Sequence, residues 1–590
     1  MRGYRAASAA WAGGNAKQLA GYGRHTLFPF PALRKAGLHD GSFFRPSIST
    51  ICENHTAAAM ASEEKETRAP TEPREGDGEA GTDTRMLGDA KPENNPEAIT
   101  LHHPPRKQQQ LLTRQELIDL VPNSSGESNE GVDDCLRFFR DPYMRGYAPD
   151  DTPDIALARN QHDVDFPAPD QVTPADEETS RILWNLQFAI ISRLRNREGV
   201  DLDHIYETYL QLPEPRMPYI HGRLRHQLLK ALGQPEKKNS KSMLRYFAVI
   251  ADVKNCGFPV TTTEWNATIS FASRYVGTTT AVEAEWALKL WRQMEVEAGI
   301  KGTDVTFNIL FDVASKAGNF PLAEMIYKEM EARGHRPNRY HYVSLIHFFG
   351  LKMDAAGVRA AYVEMVNAGE MIDTVALNAV ISGLLRSGEE DSAERVYERM
   401  KAMASHNGVV IPIRTYSSSR VVTQALDMFA RIGRKHPSLR NHFQESSLLY
   451  PDLHTYRILI NHHGVKRSDL AAVARYIDEM KVFHIPLHGS VFLALFKGFA
   501  LHGRSHAGAQ WSAHRLSSIW YALLGALDDK SSGVEIKVWL VIWVLRAFNR
   551  CGSRQSVLDA YQELKDRWDL EEEDRQFLGD FLSGLVRKGW

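Results

Sequence analysis

The chain has 590 residues, which is too many for a single hydrophobic core, and its composition is ordinary for a globular protein, with 43% hydrophobic and 24% charged residues. Its four cysteines lie far apart without a Cys-x-x-Cys pair, which argues against a zinc ribbon and against a disulfide-stapled fold. The most apolar run, residues 538–545, is well short of the ~20 residues that a membrane-spanning helix needs.

Charge is distributed unevenly, beginning with a basic N-terminus. The first 39 residues contain six Lys and Arg and no acid, and the first carboxylate is Asp40. Alanine, glycine and serine are frequent there, a composition typical of a mitochondrial transit peptide. Residues 1–40 are therefore predicted to be a transit peptide that directs the chain to the mitochondrial matrix. A basic disordered tail is the alternative.

Residues 41–180 form an acidic region. Residues 61–100 hold eleven acids against five bases, and residues 101–180 hold sixteen against seven. Such a stretch buries too little apolar surface to fold alone, so we expect a largely disordered linker. One or two local helices are predicted within it, near Leu111–Leu120 and Asp133–Phe139.

The remainder of the chain, from residue 181, is basic. It carries 52 Lys and Arg against 44 Asp and Glu, a surplus that the near-neutral total conceals. A surplus of this size attracts polyanions weakly and without sequence preference. Solvated helix surfaces are the alternative, and for any single Lys or Arg they are the better interpretation.

A pattern with a period of 35 residues passes three times through the middle of the chain. The residues that mark it are Met330, Met365 and Met400, each preceded three residues earlier by a tyrosine. A period of this length is typical of a stacked repeat array rather than of one globular core.

Each repeat is predicted to be a helical hairpin. The first helix of the first unit carries apolar residues at i, i+3, i+4 and i+7, namely Phe307, Leu310, Phe311 and Ala314. Residues 316–319 break the pattern, and the same spacing resumes over residues 323–330. The second helix is predicted to end at Gly334, because Pro337 follows where a helix cannot easily continue.

Weaker copies of the pattern on both sides set the predicted domain boundaries. The predicted domains are a helical cap with a degenerate repeat at 181–260, core repeats at 262–408, an irregular helical insertion at 409–452, C-terminal repeats at 453–572 and a cap helix at 573–590. About seven or eight repeats result, which is enough for a stable stack. The predicted fold class is all-α, a superhelical solenoid of helix-turn-helix repeats.

The run VTFNILFDVASKAGNFPLAEMIYKEMEARGHRPN, from Val305 to Asn338, resembles a pentatricopeptide repeat. It shares the aromatic-Asn opening, the Lys-Ala-Gly turn, the Glu-Met ending and the Gly-x-x-Pro linker. The tetratricopeptide repeat is the nearest alternative, but it runs 34 residues and usually carries a Trp-x-x-Leu-Gly-x-x-Tyr helix that is missing here. The resemblance implies a right-handed superhelix, and the basic N-terminus is similar to that of mitochondrial members of the family, known from fungi.

Catalytic motifs are missing from the sequence. It has no phosphate-binding Gly-Lys-Ser/Thr loop, no Gly-x-Ser-x-Gly elbow and no His-Glu-x-x-His helix. The adjacent His462 and His463 would point in different directions on a helix, and the acidic run 571–574 is typical of a solvated helix end. The sequence therefore predicts a binding protein with no catalytic residue, no metal and no cofactor.

The resemblance also implies which residues would read RNA. In this family the fifth and last residues of a repeat face one base of a single strand, where short polar side chains can hydrogen-bond the Watson–Crick edge. Carried over by position, these are Asn308 with Asn338, Val343 with Asp373, Asn266 with Thr303, and Asn378, whose last residue falls near Gly408. By the same resemblance an Asn–Asn pair leans toward a pyrimidine.

Several repeats depart from the family pattern. Val343 cannot hydrogen-bond a base, and the fifth places of two later repeats hold Arg457 and Ile542. Such repeats are expected to support RNA through shape or phosphate contact, or not to touch it. The alternative for each Asn is a structural role, in which it caps a helix or bridges adjacent repeats.

The leading hypothesis is a protein that holds single-stranded mitochondrial RNA and affects its processing, stability or translation. The second is a helical scaffold that grips proteins, at the mitochondrial ribosome, with other expression factors, or during respiratory-complex assembly. The third, an RNA-cleaving enzyme with a repeat front end, requires an appended domain with clustered Asp residues, and only about twenty residues follow the last predicted repeat.

Overall fold

The computed structural model describes residues 112–122, 131–136, 173–196, 199–235, 239–273, 279–407, 416–445, 447, 449–503, 510–529, 533–568 and 572–587. The predicted transit peptide and most of the acidic region lie outside the described residues. Within them every regular element is helical, which confirms the predicted all-α class.

The described helices begin with four that precede the repeat array. These are α1 (Arg114–Asp119), α2 (Val132–Cys135), α3 (Glu177–Arg195) and α4 (Leu202–Leu210). Five hairpins follow: α5 (Gly222–Gly233) with α6 (Ser240–Asn255), α7 (Thr262–Ala272) with α8 (Ala281–Arg292), α9 (Asp304–Lys316) with α10 (Phe320–Ala332), α11 (Arg339–Lys352) with α12 (Ala355–Asn367), and α13 (Thr374–Arg386) with α14 (Glu390–Asn407).

Two helices then interrupt the array before it resumes. The interruption consists of α15 (Tyr416–Lys435) and α16 (Pro437–Glu445). The remaining hairpins are α17 (Leu453–Asn461) with α18 (Leu470–Val482), α19 (Gly489–His502) with α20 (Ala513–Asp528), and α21 (Val538–Cys551) with α22 (Arg554–Lys565), and α23 (Glu572–Arg587) follows them. Short π-helical turns at 293–297 and 462–466 extend α8 and α17.

The predicted apolar stripes form the core. Phe307 and Leu310 of α9 are buried, as is the periodic series of tyrosines and methionines on the second helices. The second helix of this hairpin ends at Ala332, and Gly334 follows with a φ of +73°, the left-handed conformation that glycine adopts without steric cost. The period therefore located both the helices and the turn between two hairpins correctly.

The first helices of successive hairpins form the inner row of the array. Each packs against the first helix of the next hairpin, whereas neighbouring second helices approach one another less closely. One close approach is between α11 and α13, where a Cβ added to Gly350 would lie 2.8 Å from the Cα of Gly383. Because a stack curves toward the side on which its elements lie closest, the first helices line its concave side.

The insertion leaves this stack continuous, because α17 packs directly on α13. Helices α15 and α16 dock on the loop that precedes α13, where Met371 packs against Leu426 and Ala430. The side chain of Gln444 also donates to the carbonyl of Ile372 (2.7 Å) and accepts from its N–H (2.8 Å). The predicted insertion region is thus a helical hairpin mounted on the edge of the array.

Helices α1 and α2 dock on the outer helix α12, and their apolar side chains join the main core. The Tyr362 hydroxyl donates to the carbonyl of Leu117 (2.7 Å), and Arg359 donates to the carbonyl of Pro122 (2.8 Å). These are the local helices predicted in the acidic region, but they are ordered against the repeats rather than free. The average acidity of the region concealed a few apolar residues sufficient for docking.

No described helix is long and apolar enough to cross a bilayer. Among the residues that the structure describes, no group of three or more His, Cys, Asp or Glu side chains is arranged to hold a metal ion.

Candidate nucleic-acid interface

The structure places all six predicted RNA-binding residues at the start of inner helices. The fifth residues of α7, α9 and α13 are Asn266, Asn308 and Asn378, and the residues directly before α9, α11 and α13 are Thr303, Asn338 and Asp373. Equivalent residues therefore recur at the same end of successive inner helices. Their side chains are buried or half-buried between neighbouring repeats.

One contact recurs between consecutive inner helices: the fifth residue of one helix meets the third residue of the next. The Oδ1 atoms of the three asparagines lie 2.7 Å from Thr306 Oγ1 (Asn266), 3.2 Å from His341 Nδ1 (Asn308) and 2.7 Å from Thr455 Oγ1 (Asn378). Each asparagine thus bridges two repeats, as the structural alternative proposed. The bridge engages the amide oxygen in all three cases.

The same contact extends to the degenerate repeat at the start of the array. His226, the fifth residue of α5, has its Nδ1 3.2 Å from Oε1 of Glu264, the third residue of α7. Where the fifth residue is the apolar Val343, the third residue of α13 is Ala376, and both are buried. From α5 to α17, polar residues therefore face polar residues across this contact and an apolar residue stands opposite an apolar one, whereas Arg457 of α17 is followed by Val491 at the third position of α19.

The threonine hydroxyls of this contact also take part in helix capping. The Thr306 hydroxyl oxygen accepts from the Thr303 N–H (2.9 Å), and the Thr455 oxygen accepts from the Asp452 N–H (3.0 Å). Because an amide oxygen only accepts, the threonine hydroxyls are the donors in these contacts, and that of Thr455 also lies 3.1 Å from Asp452 Oδ1. The third residue is therefore the donor in both threonine contacts.

The amide nitrogens have different partners in different repeats. Asn378 Nδ2 donates to Asp452 Oδ1 (3.1 Å), whereas Asn308 Nδ2 is buried and has no hydrogen-bond partner within the protein. A buried donor without a partner is uncommon in native proteins and often marks a site that a ligand completes. Asn308 Nδ2 is therefore a buried donor whose partner a ligand could supply.

His341 stands beside Asn308 as a neutral ring. Burial lowers the pKa of His341 to about 3, because the charged form loses its hydration. In the orientation shown by the structure the Asn308 oxygen faces the ring, and a hydrogen bond forms there when Nδ1 of His341 carries the proton. Asn338 binds the same residue through the backbone, its Oδ1 accepting from the His341 N–H at 3.2 Å. The predicted pair Asn308 and Asn338 is thus joined through His341.

The predicted last residues serve as helix caps. Asn338 caps α11, and its Nδ2 also donates to Asp304 (2.8 Å). Asp373 caps α13 and forms a buried ion pair with Arg339. Thr303 caps α9, with its hydroxyl 3.4 Å from that of Thr306. To contact a base, these capping side chains would have to rearrange, or their oxygens would have to accept a second hydrogen bond.

Sequence reasoning missed Asp452. The last residue paired with Asn378 was placed near Gly408, which lies outside the described residues. Because α17 follows α13 in the stack, the residue that takes this place is Asp452, the cap of α17 and the acceptor for Asn378 Nδ2. The Asp-x-x-Thr cap from Asp452 to Thr455 was the available signal, since it marks the start of the next inner helix.

Cationic side chains lie at the other end of the inner helices. Lys316 and Arg386 end α9 and α13, and Lys466 ends the turn after α17. The pKa of His347 is lowered to about 3 mainly by burial and further by Lys316 and Arg386, and burial and Arg386 lower that of Lys466. Asp312 offsets part of this charge by accepting from Lys316 at 2.8 Å. The row is positive overall.

Comparison with known families identifies the repeats. Residues 289–352 match the family described as a pentatricopeptide repeat domain, and residues 375–403 match the PPR repeat family. These matches confirm the resemblance of the segment Val305–Asn338. A chloroplastic pentatricopeptide repeat-containing protein of Arabidopsis thaliana is 27% identical over 181 residues, which are 30% of this chain and 22% of that protein. The match therefore spans less than a quarter of that relative.

Solved structures of pentatricopeptide repeat proteins are among those similar to this chain. One is the pentatricopeptide repeat protein PPR10 in complex with an 18-nucleotide psaJ RNA element, with a TM-score of 0.28 and 16% identity over 70% of this chain and 62% of that one. Another is PPR10 from maize, with a TM-score of 0.29 and 17% identity over 67% of this chain and 59% of that one.

Proposed function

We propose that this protein, whose chain contains pentatricopeptide repeats, binds single-stranded RNA along the first turns of its inner helices. The repeats indicate a binding protein rather than an enzyme. The observation that carries the proposal is the recurrence of short polar side chains at one end of consecutive inner helices, with the unpartnered Nδ2 of Asn308 among them. A strand laid along this row would meet one equivalent position in each repeat.

The cationic row supports the same path for the strand. Lys316 lies eight residues beyond Asn308 on α9, a separation of ~12 Å along the helix at 1.5 Å per residue. The base and the phosphate of a nucleotide can bridge such a separation. Base contact at one end of the inner row and phosphate contact at the other would therefore engage one strand.

We place this activity in the mitochondrial matrix, where the protein would affect the processing, stability or translation of a transcript. The acid-free, basic first 39 residues support this location. Mass spectrometry of the protein purified from cells tests it, because import removes a transit peptide. A mature chain that still begins at Met1, or a cytosolic pool on fractionation, would contradict the mitochondrial part of the proposal.

The RNA-binding proposal is tested with RNA recovered by crosslinking in intact mitochondria. We expect the double variant Asn308→Ala, Asn338→Ala to bind the recovered RNA more weakly by about 1–3 kcal/mol, because a base contact is lost. Binding to unrelated RNA and the salt dependence should not change. Lys316→Ala is the contrasting variant, which should weaken binding to every RNA and reduce the salt slope.

Loss of the Asn338 cap has its own effect on stability, so thermal melting accompanies the binding assay. Asn338→Ser keeps a capping oxygen and adds no charge beside Asp304, so it serves as the matched control. If the double variant folds and binds the recovered RNA as tightly as the parent, these residues do not read a base. A parent protein that binds no RNA would favour the protein-scaffold hypothesis, which the docking of α1 and α2 on the outer helices also supports.

A further inference from the structure

We propose that the third residue of an inner helix is a positioning residue for the asparagine of the preceding repeat. It determines whether that asparagine presents its amide oxygen or its amide nitrogen to a base, and His341 has this role for Asn308. The inference rests on the proposed RNA-binding function. It adds the third residue of the next inner helix to the fifth and last residues as a determinant of base preference.

An asparagine amide has two ends of opposite character. Its oxygen only accepts hydrogen bonds and its nitrogen only donates them, and a rotation of about 180° exchanges the two with little change in shape. An asparagine at the fifth position could therefore present either end to a base. A neighbour that donates to the oxygen removes this ambiguity, because it holds that end of the amide and leaves the nitrogen for a base.

The contacts across the array fit this role. Thr306, His341 and Thr455 each contact an asparagine oxygen. The hydroxyl oxygens of the two threonines also accept hydrogen bonds from the backbone N–H groups of the residues that cap their helices. The third residue is apolar opposite Val343, where there is no amide to orient. A contact that served packing alone would not need this match of donor with acceptor.

Asn308 differs from Asn378 in the state of its amide nitrogen. Asp452 accepts from Asn378 Nδ2, so that repeat has a partner for its donor within the protein. Asn308 Nδ2 is buried without such a partner, and the ring of His341 holds the other end of the amide. Asn308 therefore presents a hydrogen-bond donor and no acceptor.

A fixed donor predicts which bases are preferred. The central atom of the Watson–Crick edge is an acceptor in cytosine and adenine, and it is a protonated nitrogen, hence a donor, in uracil and guanine. A nitrogen left for a base at Asn308 therefore favours cytosine or adenine at the nucleotide facing this repeat. If the amide were free to rotate, the oxygen could take its place and accept from uracil or guanine instead.

The test compares His341→Thr with His341→Val in the full chain. Threonine and valine have nearly the same shape and both remove the imidazole, but only threonine can donate to Asn308, as Thr306 does to Asn266. Binding is measured with four RNAs that differ only at the nucleotide whose identity matters to the parent but not to Asn308→Ala. The readout is the ratio of the four affinities, which a merely structural role would leave unchanged.

We expect the parent and His341→Thr to prefer cytosine or adenine by about tenfold, the discrimination of a single base contact. In His341→Val the preference should fall to about twofold while total affinity changes less. Equal preferences in the threonine and valine variants would overturn the inference and leave the proposed function intact. A parent that binds none of the RNAs would overturn both.

The first repeats supply the same comparison if both His341 variants fail to fold. Thr306→Ser keeps a hydroxyl beside Asn266, and Thr306→Val removes it. The serine variant should retain the base preference of that repeat and the valine variant should lose it. Identical preferences in these two variants would again contradict the positioning role.

Discussion

The close contact between α11 and α13 yields a test of the architecture. Gly350 lies inside α11, where alanine is normally favoured over glycine by up to about 1 kcal/mol. A Cβ at this position would lie 2.8 Å from the Cα of Gly383, so the backbone of α11 or α13 would have to move. Overpacking of this kind costs about 1–3 kcal/mol, which exceeds the gain in helix propensity. Gly350→Ala should therefore lower the free energy of unfolding by about 1–2 kcal/mol.

Gly525 provides the matched control. It also lies within a helix, α20, but a Cβ there would meet no atom within 4 Å, so Gly525→Ala should raise stability by up to about 1 kcal/mol. Urea denaturation of the two variants, followed by circular dichroism, compares one substitution in two environments. If Gly350→Ala is as stabilising as Gly525→Ala, the inner helices do not touch at this point and the close spacing of the inner row is refuted.

Two further predictions concern buried side chains. Tyr362→Ala should cost ~3–5 kcal/mol, because a buried aromatic ring is lost, whereas Tyr362→Phe should cost only ~0.5–1.5 kcal/mol, for the hydrogen bond to Leu117; melting temperatures within a degree of the parent would contradict the assigned core. His341 and His347 have a folded-state pKa of about 3, so below about pH 6.5 the unfolded chain binds more protons and stability falls as the pH drops, by about 1.4 kcal/mol per pH unit for each ring. His341→Thr should make this loss shallower when urea midpoints at about pH 7 and 5 are compared, and an unchanged pH dependence would refute the burial of a neutral ring.

The parts of this fold that depend on local spacing were predictable from the sequence. The period of 35 residues placed the stripe on α9, the turn after Lys316 and the end of α10 near Gly334, because each is set by residues within one hairpin. The fifth residues of the repeats lie at the start of inner helices. Their position follows from counting along a helix whose start is marked by its cap.

The remaining features depend on contacts between segments that are distant in sequence. Asn378 meets Asp452 only because the insertion leaves α13 and α17 in contact, and no periodicity relates two residues on either side of an irregular segment. Likewise, the docking of α1 on Tyr362 depends on shape complementarity rather than on pattern. The orientation of the asparagine amides could not be predicted from the sequence. It depends on contacts between repeats, in which the third residue of one inner helix meets the fifth residue of the preceding one.

The unbroken stacking of α17 on α13 bears on how the chain assembles. Residues 378 and 455 meet across 77 positions, about twice the separation between other neighbouring repeats, and this longer loop adds only ~0.7 kcal/mol of closure entropy. The second helices of the two hairpins, α14 and α18, are joined by two side-chain hydrogen bonds, from Tyr397 to Glu479 and from Tyr476 to Glu394. The covalent connection between residues 407 and 449 therefore contributes little to the packing of α17 on α13. We expect a chain that is cut within the insertion to retain these complementary surfaces. Its two fragments should therefore bind each other and reassemble.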